Sequence, residues 1–386
     1  MLKMTGLSVP SSFVFVDKGE IKMSGHEYQY GTKTVLIFGS TGMLGHEAAD
    51  AFKREHTGYH HWYVREFSGD ITNYQNVSEA IRNYSPDSGV WKEFPPDVVV
   101  NCAGFTNVDD CEKNPQKAYA VNAVGPLNIA RACIKYNVPL FVHISTDYVF
   151  SKGGQSNIVP TINDTSKDME PVNQYGLSKL VGETSIANEY HVAHNVGLSD
   201  GEYCIVRTSR LYGKYRYNFV DYVCDLCMGK LAIDKKPVFL NGNISVPTSA
   251  KALGDEIWNI SNGIYHDYYD GWDKKNILHC VNPFGGDAVE VPTQYGYAET
   301  IFEILKKNGM KPNHYFEAIS CDKWNVIAKK EGKAIRPYSS VLMPSSPRMF
   351  EYSRTEDGLK FAPNRWDQSL EYYIKENVLD NAKKLR

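Results

Sequence analysis

From Thr34 onward the apolar positions fall into two alternating patterns. Short runs rich in apolar residues at 34–38, 62–67, 98–103, 140–144 and 204–208 predict strands. Between them, residues 44–55, 76–84, 115–136 and 175–190 carry apolar side chains at helical spacing. Strands that are apolar throughout, alternating with helices, imply an α/β fold whose doubly wound parallel sheet is covered on both faces. After Leu211 the regularity weakens, and aromatic residues and prolines increase. Helical patterns at 219–230, 250–262 and 297–308 dominate there. The chain therefore divides into an extension at 1–32, a sheet domain at 33–213, and a smaller α/β substrate-binding portion at 214–386. Residues 243–262 are expected to return to the first domain. The polar stretch 151–174 is a long loop immediately before Tyr175, which suits a cover over a substrate.

Composition narrows the class without defining it. The 386 residues are 42% apolar and 23% charged, with a formal charge of −3, so no general attraction to nucleic acid or to an anionic membrane is expected. No run approaches the roughly 18 apolar residues of a membrane span. The first twenty residues are broken by Pro10 and Asp17 and make a poor export signal. Eight scattered cysteines, several inside apolar runs, read as reduced buried thiols, and the expected location is cytoplasmic. Cys224 and Cys227 lie in an apolar helical pattern with no second ligand pair, which favours packing over metal or redox work.

The first strand runs into Gly39, Gly42 and Gly45 and then a helix. In such a turn the first glycine allows the tight bend, the second lets the backbone approach a pyrophosphate, and the third lets the helix pack closely. The helix N-terminus adds free N–H groups and a partial positive charge. This context makes a Rossmann-type dinucleotide site. A base near the end of the second strand would neutralise the 2′-phosphate of NADP, and an acid would accept from the ribose of NAD. Arg65 and Glu66 offer both charges. Arg65 is placed toward the ligand, with NADPH as cofactor, and NADH stays open. Asp70 and Ile71 could bracket an adenine, but Asp70 reads equally well as a turn residue.

Tyr175 and Lys179 are four apart and share one face of a helix. A phenol titrates near 10, and a neighbouring ammonium is expected to lower it toward working pH. Thr146 ends the strand before, where its hydroxyl can reach the same carbonyl oxygen. Asn101-Cys102-Ala103-Gly104 ends another strand with small residues that permit close approach. Asn122 precedes Gly125-Pro126 and reads either as part of a local helix distortion near the site or as a solvent-facing residue.

With these residues assembled, the chain resembles the extended short-chain dehydrogenase/reductases, and among them the dTDP-4-dehydrorhamnose reductases. The landmarks are VLIFGSTGMLG, VVVNCAGFTNVDDCE, YAVNAVGPLNIARAC, ISTDYVF, NQYGLSK, VRTSRLYG followed by Asn218 and Phe219, VPTSAKAL and IRPYSSVL. The resemblance implies catalysis by Thr146, Tyr175 and Lys179. It implies cofactor contacts from Gly39, Thr41, Gly42, Met43, Leu44, Gly45, Arg65, Asp70, Ile71, Ala103, Gly104, Thr106 and Asn122, besides the catalytic pair. Asp147, Arg210, Asn218 and Phe219 are implied on the side of the substrate, a nucleotide-linked 4-keto-6-deoxyhexose. A homodimer is the assembly considered. The sequence departs from the family pattern at Arg210 (tryptophan in the family), at Gly242-Asn243 (an acidic residue and glutamine) and at Asn163 (glutamate). A dinucleotide-binding regulatory subunit, or an epimerase or dehydratase using Asp147, stays open as an alternative.

Overall fold

The computed structural model describes residues 32–54, 61–82, 95–150, 169–262, 276–283, 291–338, 340–342 and 365–379. It also describes the backbones of short strands at Val14–Val16, Glu20–Met23, His26–Tyr28, Ser353–Thr355 and Gly358–Lys360. Most of the loop expected at 151–174, including Asn163, lies outside the described residues.

Among the described residues a central sheet of six parallel strands forms β1 (Lys33–Phe38), β2 (Trp62–Phe67), β3 (Val98–Asn101), β4 (Leu140–Thr146), β5 (Glu202–Thr208) and β6 (Ile277–His279). Their spatial order is β2-β1-β3-β4-β5-β6, so the winding reverses between β1 and β3. The first five fall where the apolar runs predict them. The sixth does not: the pattern after Leu211 predicts helices, and three residues are too short a run to read as a strand.

The helices are α1 (Met43–Lys53), α2 (Tyr74–Arg82), α3 (Val108–Lys113), α4 (Pro115–Tyr119), α5 (Gly125–Lys135) and α6 (Gln174–Asn195). They continue with α7 (Phe219–Cys227), α8 (Ala250–Ser261), α9 (Gln294–Lys307), α10 (Cys321–Glu331) and α11 (Trp366–Tyr373). Alternate residues of each strand point to opposite faces. Val35, Ile37, Val98, Val100, Val142 and Val206 pack against α1 and α8. Leu36, Phe38, Val99 and Phe141 pack against α2, α5 and α6. A third apolar cluster joins Val149 and Phe150 to α7, α9 and α11, and buries Cys224 and Cys227. There Val238–Asn241 pairs in parallel with Glu317–Ser320.

The segment 115–136, predicted as one helix, is interrupted by a π-helical turn at Ala120–Val124. Pro126 supplies the reason, because it has no N–H to give to the carbonyl four residues back, which is that of Asn122. Gly182 of α6 packs onto this carbonyl: a Cβ there would stand 2.2 Å from Asn122 O. Gly182→Ala should therefore lower stability by about 1–3 kcal/mol. A thermal melt of the variant against the parent checks it.

Candidate active site

The glycine turn sits where the winding reverses. Gly39 has φ +74°, and a Cβ on it would lie 2.5 Å from the backbone nitrogen of Ala103, just past β3. Gly45 is equally confined, with a Cβ position 2.2 Å from Gly39 O, so the third glycine packs on the turn itself more than on the strand. Gly42 is the N-cap of α1, no side chain caps it, and the first turn holds no acid. The α1 N–H groups thus face the crevice, and the Leu44 side chain turns into the core. Thr41 is exposed, and its carbonyl accepts from Arg216 Nε and Nη2 at 3.2 and 2.9 Å. Arg216 was not legible as a site residue, because only the fold returns it to the glycine turn. These features fit a dinucleotide pyrophosphate.

Across the crevice, α6 brings Tyr175 and Lys179 to the ends of β4 and β5. Asn173 caps the helix by accepting from Gly176 N–H at 3.0 Å. The Tyr175 hydroxyl hydrogen-bonds Thr146. Thr146 Oγ1 donates its one proton to Asp147 Oδ1 at 2.9 Å, so the phenol donates to the threonine oxygen. Burial pushes the Tyr175 phenol well above its ordinary value, and the Thr146 contact opposes this. Lys179 is not among the leading influences on the phenol. Lys179 Nζ instead donates to Ile144 O at 2.6 Å and faces His143 Nε2 at 3.3 Å. Burial lowers its pKa to about 8, against a smaller upward pull from Glu183.

Several expected cofactor contacts take other places. Arg65 stands two residues before the end of β2, and its Nη2 donates to Ala80 O of α2 at 2.7 Å. That placement does not suit a reader of the 2′-phosphate, which approaches beyond the strand end. Glu66 accepts from Lys53 at 2.6 Å. Asp70 is an exposed turn residue whose Oδ1 accepts from both Thr72 N–H and Thr72 Oγ1 at 2.8 Å. Ile71 is buried under Gly125 and cannot lie on an adenine face, because its side chain belongs to the apolar core. Asn122 is buried and not solvent-facing. It clamps Phe105 in both directions, accepting from its N–H at 2.8 Å and donating to its carbonyl at 2.9 Å. It also donates to Ser178 Oγ at 3.1 Å, so it shapes the Gly104 segment and leaves no polar atom for a ligand. Gly104 and Thr106 are exposed along the crevice wall beside Ala103.

The substrate side changes as well. Asp147 is buried, and its Oδ2 accepts from Ser209 Oγ at 2.8 Å and Ser245 Oγ at 3.1 Å. Burial raises its pKa despite these donors. Its oxygens hold the Thr146 corner and do not face an open cavity. Asn218 is the N-cap of α7 in a capping box with Asp221, and its amide also donates to Gly213 O at 2.9 Å. Phe219 stacks on Tyr297 with centroids 5.3 Å apart, inside the third apolar cluster. Arg210 stays near the site beside Tyr148, whose ring meets that of Tyr175 edge-on at 5.6 Å. Its Nη2 donates to both Asn243 O and Asn243 Oδ1. Residues that sequence reasoning missed include His143, Glu183 and Arg207. Arg207 Nη2 donates to Glu183 Oε2 at 2.7 Å, and both are buried. The signal for Glu183 was its place two turns after Tyr175, on the face of Lys179.

A doubly wound parallel sheet with this glycine turn at its winding reversal defines a Rossmann-type dinucleotide-binding protein. Residues 33–378 match the family model described as the RmlD substrate binding domain, and the chain belongs to that family. A dTDP-4-dehydrorhamnose reductase of Mycolicibacterium smegmatis is 31% identical over 273 residues, covering 70% of this chain and 69% of the relative. The spore coat polysaccharide biosynthesis protein SpsK of Bacillus subtilis is 33% identical over 301 residues, covering 74% and 95%. The crystal structure of a Bacillus anthracis dTDP-4-dehydrorhamnose reductase in complex with NADP is 25% identical, with a TM-score of 0.62 over 89% of this chain and 99% of that one. No helix among the described residues is long and apolar enough to cross a membrane.

Removing one partner of a buried ion pair strands the other charge. Glu183→Gln should cost about 3–5 kcal/mol. Urea unfolding measures it, and a loss below about 1 kcal/mol, the range of exposed pairs, would contradict this account of the pair.

Proposed function

We propose that this chain reduces the 4-keto group of a nucleotide-diphospho-4-keto-6-deoxyhexose with NADPH. The relatives' names support the substrate class, and the NADP complex of the Bacillus anthracis relative supports the cofactor. The single observation that carries the reading is the meeting of the Tyr175 and Thr146 hydroxyls at the strand ends, across from the Gly39–Ala103 crevice. When bound there, the nicotinamide supplies the hydride.

Tyr175 then has to deliver a proton to the oxygen of the reduced carbon. A phenol held protonated by burial is already in the form a reduction requires. An alkoxide is a much stronger base than a phenolate, so the transfer runs downhill even from a weakened acid. Thr146 positions the Tyr175 hydroxyl by accepting from it, and Asp147 fixes the threonine rotamer by taking the threonine's own proton. Lys179 would hold the nicotinamide ribose when the cofactor binds. Asp147 as a dehydratase-type acid is not supported, since its carboxylate is buried and taken up by the hydroxyls of Thr146, Ser209 and Ser245. The reading also places the enzyme in the cytoplasm, where its unpaired cysteines stay reduced.

Tyr175→Phe should lower turnover by about 10²–10⁴-fold while NADPH affinity stays nearly constant. NADPH oxidation with dTDP-, UDP- and GDP-linked 4-keto-6-deoxysugars, beside a cofactor-binding titration, provides the measurement. Unchanged turnover would sink the assignment.

A further inference from the structure

Under Lys179 the sheet carries two polar residues to which the proposed reaction gives no task. Asn101 on β3 and His143 on β4 are register partners, buried, on the face covered by α6. The direction of each hydrogen bond through them follows from chemistry alone. The Ala103 N–H can only donate, and it reaches Asn101 Oδ1 at 3.0 Å, which fixes the orientation of the amide. Asn101 Nδ2 carries only protons and lies 3.1 Å from His143 Nδ1. The imidazole must accept at that nitrogen. Its own proton therefore sits on Nε2, which faces Lys179 Nζ at 3.3 Å. Burial, with the lysine charge second, pushes His143 well below the ordinary histidine range and keeps it neutral. An amine can accept from Nε2–H only through a lone pair, whereas an ammonium would set two donors head to head.

We propose that Asn101 and His143 form a tautomer lock beneath Lys179, presenting it with an N–H in place of a lone pair and so favouring the neutral amine. They are positioning residues that act through the lysine, and the proposal rests on Lys179 belonging to the catalytic set. The other groups facing Lys179 leave room for this control. The Cys102 thiol is pushed up by burial to about 12 and stays neutral. Glu183, on the same helix, pulls toward the ammonium, but its carboxylate is spent on Arg207. The Ile144 carbonyl accepts from either form of the lysine. A lysine balanced in this way titrates inside the working range, so it can take up and release a proton in each turnover. A permanently charged one cannot.

The test uses the full chain without nucleotide. Nitrogen NMR of imidazole-labelled protein reads the His143 tautomer, and carbon NMR of ε-labelled lysine, assigned with Lys179→Met, reads the lysine titration. The lock requires neutral His143 with its proton on Nε2, and a Lys179 midpoint at about 8. Asn101→Asp keeps the acceptor for Ala103 N–H but replaces the Nδ2 donor with an oxygen. The imidazole proton should then move to Nδ1, and the Lys179 midpoint should rise by about one pH unit or more. The Lys179-dependent limb of the kcat/KM pH profile should move with it. In Asn101→Asp combined with His143→Leu, most of the rise should vanish, and a rise that persists would assign it to the added charge and overturn the lock. Wild-type His143 found protonated at neutral pH, or carrying its proton on Nδ1, overturns it without any variant. The NMR readouts need no turnover, so a failure of the proposed reaction would show separately, as an active Tyr175→Phe enzyme.

Discussion

The close seating of α6 on the sheet sets every distance in the site. Three contacts fix it: Gly182 against the Asn122 carbonyl, the buried pair of Glu183 with Arg207, and Lys179 reaching Ile144 O. Each depends on an unusual local feature. The first needs a residue without Cβ facing a carbonyl that Pro126 has released from the helical ladder. The second takes two charges out of water, which is tolerable only because the guanidinium and carboxylate meet in well-formed hydrogen bonds. The third uses a main-chain acceptor near the end of a strand. If the helix rode higher, Tyr175 would leave Thr146.

The buried face of α6 shows how one helix serves two ends. Its first half buries Gly176, Ser178, Lys179, Gly182 and Glu183, and its second half buries Ile186, Tyr190 and Ala193. The apolar half joins the core with Phe141 and Ile129. The strands beneath follow the same division, since Val99 and Phe141 give way two residues later to Asn101 and His143, at the end where ligands enter. The polar layer is therefore continuous across two strands and a helix, supported by an apolar layer below it.

This division also decides what the sequence could disclose. Four of the first five strands are legible because they are largely apolar on both faces, β2 because of its aromatic and β-branched residues, and the glycine turn because Gly39 and Gly45 have no alternative residue at their positions. Tyr175 and Lys179 are legible from their spacing and their company. His143 and Arg207 are not, since single polar residues inside apolar runs look like interruptions until the sheet aligns them. Arg65 suits a phosphate by charge type, and its strand ends at Phe67 as the pattern predicts, but the fold turns the arginine toward α2. Asn218 and Phe219 follow a recognisable segment, but the capping box and the ring stack assign them to the start of α7 and its packing. Composition and spacing identify residue types suited to a ligand, and they do not tell whether another part of the chain has already engaged them.

Arg210 and Asn243 illustrate the same limit from the other direction. In the sequence they are two separate departures from the family pattern, 33 residues apart. In the fold they are one feature, because Arg210 Nη2 donates to the Asn243 backbone and side-chain oxygens. The Asn243 amide then donates to Pro337 O at 2.8 Å. Three segments that border the site are thus tied by one neutral side chain. Burial lowers the Arg210 pKa, with Tyr148 and Asp147 opposing that shift at a distance. A guanidinium in this position needs oxygen acceptors close by, and asparagine supplies them without adding a second charge to the pocket. The two departures therefore meet in one contact, and a residue swapped at either position alone would remove the side-chain hydrogen bond between Arg210 Nη2 and Asn243 Oδ1.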